Sequence, residues 1–251
     1  MKNFNQIILA LLGIFALTAP VLVEAGQTVQ GNIVSNTVWT AEQSPYIIQG
    51  KVVIEKGATL TLLPGTRVYF AAAPVEPAEG SSLVVQGGLE ALGTQARFVF
   101  FSPAVPGDSW GQIYFQESDA DHSALKNCVV TGGRVVCNGS SPSIEQCFLT
   151  GSKNALVVGP GSTPRIVGNR ISGNTIGLTF MDGAAGSVVA DNLISDNVYG
   201  VCAPNFGEAR MAANRVSGNH LSDLLNPEAQ IQTVSVQPAS DPGVIQLASA
   251  Q

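Results

Sequence analysis

Between Pro164 and Asn219 apolar and polar residues recur in one phrase. The stretches PRIVGNRISGNTIGLTF, SVVADNLISDNVYGVCA and ARMAANRVSGN share an apolar residue, two variable residues, Asn, one variable residue, an apolar residue, Ser, Gly or Asp, and Asn. The leading apolar residues are Ile166, Val189 and Met211. Asn169, Asn192 and Asn214 form the first Asn column, Ile171, Ile194 and Val216 the second apolar column, and Asn174, Asn197 and Asn219 close the phrase. Upstream it continues with substitutions through Ile144, Cys147 and Leu149, and through Leu125, Cys128 and Val130. The Asn/Cys column falls at 128, 147, 169, 192 and 214, in steps of 19, 22, 23 and 22 residues.

A period near 22 is too short for a repeat built of two packed helices. Each unit holds short runs of Val and Ile broken by Gly, Asn, Ser and Pro, which is strand and turn chemistry. The pattern therefore predicts three short strands per unit, forming one coil of a parallel β-helix. Coils stack at about 4.8 Å, the spacing of strands in a sheet. No coil buries its apolar face alone, so the stack is the stable object. The Asn column is expected at a turn with left-handed backbone, its side chains bonding along a ladder. The Ser/Thr column (Thr150, Ser172, Ser195, Ser217) is expected to bond to neighbouring turns.

From about residue 124 to 220 this repeat resembles the right-handed parallel β-helix repeat of the pectin-lyase-like superfamily. The opening VWTAEQSPYIIQGKVVIEKGATLTLLPGTRVYF resembles the start of many secreted bacterial β-helix proteins, with its Trp, Ser-Pro-Tyr, and Gly-Ala-Thr-Leu-Thr before Pro-Gly. The resemblance implies an all-β, right-handed parallel β-helix with an N-terminal cap. It also implies, as one possibility, lyase, hydrolase or epimerase action on acidic polysaccharide.

Elsewhere the pattern divides the chain. Residues 1–25 read as a secretory signal, with Lys2, an apolar run from Ile7 to Ala19 and a Val23-Glu24-Ala25 cleavage site. The break at Pro20 and Glu24 leaves that run short for a membrane span. Residues 26–225 are the β-helix domain. Residues 29–49 are expected to close its N-terminal end, with Trp39 and Tyr46 as capping aromatics. Apolar runs count to about eight coils, interrupted by loops at 71–82 and 102–109. Residues 226–251 lose the period and are expected as a flexible tail. These features place the protein outside the cytoplasm, secreted or periplasmic, with no membrane span once the signal is removed.

Composition narrows the function. Charged residues are 12% and the net charge is −6, which opposes nucleic acid as a partner, since that calls for basic patches. The superfamily's enzymes would need clustered carboxylates with Arg or Lys. There is no Asp-Asp pair, no Gly-His-Gly, and no Cys-x-x-Cys or His spacing for a metal. No cofactor is implied and no catalytic residue is assigned. The acidic stretch Glu117 to His122 reads as a polar corner. Asp182, Asp196 and Glu208 read as turn residues, and His122 and His220 as surface residues.

What remains is an outward stripe. The position after the Asn/Cys column holds Val129, Phe148, Arg170, Leu193 and Arg215, and strand alternation turns it away from the bore. Asp191, in the column two residues earlier, lies beside the two arginines. Phe148, Arg170, Asp191 and Arg215 are thus the candidate ligand-binding residues, for an acidic polysaccharide or another surface protein. Cys128 and Cys147 should stack in consecutive coils, whether or not a disulfide joins them; Cys137 and Cys202 should not pair.

Overall fold

The structure, a computed structural model, describes residues 26–72, 80–118, 123–182, 184, 186–203 and 213–225. Every strand pairing is parallel, in a 16-stranded sheet and a 7-stranded sheet. The larger sheet is two faces joined at a corner. Strand Tyr46–Ile54 bends at Gly50, which has φ 70°. Its first half pairs with Arg67–Phe70 and its second with Ser82–Val85. Strand Gln27–Ile33 follows it around the same corner.

The chain thus winds over three faces in turn, and successive windings stack in register. The first and second faces carry nine layers each. On the third, seven strands run from Thr37–Trp39 to Val188–Ala190. Eight steps of about 4.8 Å make a rod roughly 40 Å long. This is the right-handed parallel β-helix that the period predicts, with three strands per coil and close to the expected number of coils.

The core is built of columns. On the first face Phe101, Val130, Leu149, Ile171 and Ile194 stack in sequence, all buried. Ile171 and Ile194 are fully buried partners, as the repeat requires. Leu83, Ile113, Val135, Leu156 and Leu178 do the same on the second face. Trp110 lies inside, its ring stacked on Phe70 at 3.7 Å, and its Nε1–H donates to the Thr131 carbonyl.

Residues 29–49 are no separate lid. They form the first coil and the start of the second, because Gln27–Ile33 already pairs with Tyr46–Ile54. Trp39 and Tyr46 are buried and stacked at 4.4 Å, filling the first two layers of the bore. The Tyr46 hydroxyl donates to Gln43 Oε1 and accepts from the Thr40 N–H, so its polar end is satisfied.

One expectation about the turns is corrected. The left-handed residue is not the Asn of the column but the one before it: Asn127, Gln146, Gly168 and Asp191 have φ of 47°, 53°, 67° and 56°. That frees the Asn side chain to turn inward. Asn169 donates through its backbone N–H and its Nδ2 to Asn192 Oδ1, and Asn192 does the same to Asn214. A second ladder runs Ser152, Asn174, Asn197, Asn219 and ends on the Asp223 carboxylate. Asp196 stands at a left-handed position in the column of Gly151, Gly173 and Gly218, a turn residue as expected. In the Ser/Thr column, Ser195 Oγ donates to the Asp196 carboxylate of the adjoining turn, a bond of the expected kind.

The signal segment 1–25, the tail 226–251, most of the loop at 71–82, and Asp119, Asp121, His122, Glu208 and Met211 lie outside the described residues.

Candidate functional site

The three faces differ in what they turn outward, and the difference comes from single positions repeated down the stack. On the first face Val129 pairs with Phe148, Phe148 with Arg170, Arg170 with Leu193 and Leu193 with Arg215. The four-way register that the repeat implies is therefore present. Phe148, Arg170 and Arg215 are exposed. The column extends further than the repeat suggests, since Arg67 pairs with Phe100 and Phe100 with Val129. Phe98 meets Phe148 edge to face at 5.6 Å, bridging the coil between them. The result is one axial stripe with Arg67 at its N-terminal end, three phenylalanines next, and Arg170 and Arg215 toward its C-terminal end. Phe98 and Phe100 lie above the clear part of the repeat, and the insertion at 102–109 hides their frame.

Beside this stripe runs a second outward column, Thr131, Thr150, Ser172 and Ser195, with Ser217 following Val216 in the last layer. Its hydroxyls stand about 4.8 Å apart, the layer spacing. Beyond it the turn between the first and second faces opens into a shallow cleft of about 470 Å³. It is lined by the exposed Gly151, Gly173 and Asp196, by the buried Ser152 and Asn174, and by Lys153, Thr175, Val198 and His220. His220 is exposed, as the sequence suggests. The first face is therefore a continuous strip: arginine and aromatic column, hydroxyl column, glycine shelf, then Lys153 and His220.

Asp191 sits on the opposite border of the strip, exposed on its left-handed turn. Among the described residues no ion pair ties it to Arg170 or Arg215. Asp196 lies across the strand Leu193–Ser195 from it. Five residues of extended chain separate the two by up to about 16 Å along the backbone. Paired carboxylates that act on one glycosidic bond stand about 5–9.5 Å apart. The strip thus offers cations, aromatic surface and hydroxyls, with its acids divided between two borders. Among the described residues no group of three or more His, Cys, Asp or Glu could hold a metal ion.

The four cysteines are free. Cys128 and Cys147 are neighbours, as expected. Each Sγ–H turns to main-chain carbonyls, Cys128 to Ala91 and Lys126, Cys147 to Leu125 and Glu145. Burial, then the neighbouring Cys147, raises the Cys128 pKa well above the ordinary thiol value, and burial does the same at Cys137. Cys137 and Cys202 lie on the second face in different columns, three layers apart.

The third face is polar. Arg165 Nε lies 2.9 Å from Glu145 Oε1, and the Ser143 hydroxyl also donates to that carboxylate. These bonds, Ser143 first, hold the Glu145 carboxyl below its usual pKa.

Fold and surface together define a parallel β-solenoid with one chemically marked face. The comparison of the sequence with protein families agrees with that class. The model described as "Right handed beta helix region" matches residues 108–235, just over half of the 251 residues, and the chain belongs to that family. No curated protein and no solved structure matches the chain. Among the described residues no helix is long and apolar enough to cross a membrane.

Proposed function

We propose that the protein is an extracytoplasmic, non-catalytic β-helix of the pectin-lyase-like kind, and that its first face binds a carboxylated glycan or an acidic protein surface. The observation that carries this is the register of Phe148, Arg170, Leu193 and Arg215 on one axial line. A carboxylate accepts paired hydrogen bonds from a guanidinium, and Arg with aromatic residues is the composition enriched at binding surfaces. Because the strip repeats with the coils, it favours an extended ligand lying along the rod. The signal-like residues 1–25 support the location.

An enzyme acting on acidic polysaccharide is the alternative, and the specific feature in its favour is Asp191 between Arg170 and Arg215. A lyase would need a base and a charge sink converging on one sugar. One carboxylate beside two arginines can hold a uronate, and it supplies no second acid at that point.

Incubation of the purified protein with polygalacturonate or alginate, with and without Ca²⁺, tests this. The expected result is binding by calorimetry that weakens as salt rises, since exposed charges are screened, with no unsaturated uronide and no new reducing ends. Product formation that is lost in Asp191→Asn or Arg170→Ala would establish the enzyme instead.

A further inference from the structure

The second face differs from the other two in carrying no charge along its central outward column. Its central outward column reads Tyr114, Val136, Val157, Thr179, Cys202 and Leu225, in register over six layers. Each is partly exposed. The column beside it toward the first face adds Ile176 and Tyr199, paired with each other. Two layers above Ile176 and three above Tyr199, one residue nearer the central column, stands Arg134, whose Nε donates to Gln112 Oε1. A row of half-exposed residues, three of them β-branched and none charged, is a surface on which sheets can pack face to face at about 10 Å.

We infer that this face pairs with the same face of a second copy, the two rods antiparallel about a two-fold axis along the strands. Such an axis places each outward column opposite itself, reversed. Centred between the layers of Val157 and Thr179, it sets Val157 against the partner's Thr179, Val136 against the partner's Cys202, and Tyr114 against the partner's Leu225. In each pair a bulky group meets a smaller or aliphatic one. On the flank the same rotation sets Arg134 opposite Gly200 of the other copy, one residue from Tyr199 and within reach of its ring for a cation–π contact, and Gln112 opposite Asp223. No like charges meet. A two-fold along the rod axis would instead place Arg134 away from Tyr199, near the opposite flank of the face.

Six layers at about 4.8 Å and five residues of strand give a footprint of about 29 by 16 Å, roughly 450 Å² per copy in projection. Accessible area on a corrugated surface exceeds its projection, so the total reaches about 1,000 Å², the threshold of a biological interface. A reversible dimer follows, and because it uses the second face, the first face stays open to ligand.

Sedimentation velocity across a concentration series reads the association. The expected result is a mass that moves from one chain toward two, shifted at least about tenfold to higher concentration by Val157→Glu, which puts a charge at the centre of the contact. Val188→Glu, on the third face, should leave the curve unchanged, and circular dichroism of both variants shows that they are folded. The axis is read by a short bismaleimide. Val136→Cys should give a covalent dimer through the native Cys202 of the other copy, while the unmodified protein, whose two Cys202 lie about three layers apart in this arrangement, should not. A mass of one chain at every concentration, equal association in Val157→Glu, or a Cys202–Cys202 cross-link would each overturn the proposal.

Discussion

At the residue scale the fold rests on two kinds of position that alternate along each strand and differ in burial. Ile171 fills the bore, and Arg170 beside it faces water. Ile171→Ala leaves a cavity that neighbouring coils cannot close, at a cost of about 2–5 kcal/mol. Arg170→Ala should change stability by less than about 0.5 kcal/mol. Urea unfolding of the two variants measures both. Asn192 is the polar counterpart of Ile171. It bonds Asn169, Asn214 and the Ile166 and Ala190 carbonyls, so Asn192→Ala strands several buried groups at about 1–3 kcal/mol each. That ladder was legible because Asn recurs. The left-handed column before it was not. Asn127, Gln146, Gly168 and Asp191 have no one side chain in common, only a turn whose backbone costs each non-glycine residue about 1 kcal/mol. Gln146→Gly should therefore hold or slightly raise the melting temperature, whereas Gly168→Val should lower it.

At the scale of the strand and its turn, the cysteines show how a column can be filled by packing. Cys128 and Cys147 take the place of Asn in two coils, and their thiols satisfy carbonyls that Asn side chains satisfy further down. Buried thiols of raised pKa are unreactive. Alkylation of the native protein should label Cys202, the partly exposed one, and leave Cys128, Cys137 and Cys147 until the chain is unfolded; mass spectrometry counts the labels. The same burial sets a pH dependence. Raised pKa values mean that the folded state keeps protons that the unfolded state gives up, so this stabilisation is present below the unfolded thiol pKa of about 8.5 and is lost as pH rises above it. Unfolding free energy should be level near neutrality and fall in alkaline solution, less steeply when Cys137 is replaced by Val.

At the scale of the whole molecule, a period of 22 residues specified coil, stack and core, because each coil must present the same inward columns to the next. It did not specify which outward face would matter. Phe100 joins the stripe of Phe148 and Arg170 only through the strand register across the 102–109 insertion, and Phe98 only through its ring contact with Phe148. The apolar column of Tyr114, Val136 and Val157 is assembled from three coils at positions that the repeated phrase does not include. Faces of a solenoid are built across layers, and a linear reading sees one residue of each at a time. The functional account therefore rests on a geometric line, and its most direct test is a calorimetric titration of polygalacturonate into the protein and into the double variant Arg170→Ala, Arg215→Ala. The account predicts salt-sensitive binding to the first and a loss of about tenfold or more in affinity in the second, with the fold unchanged, since two exposed charge-assisted contacts are removed. Equal affinity in the two proteins would contradict it and move the binding site off the first face.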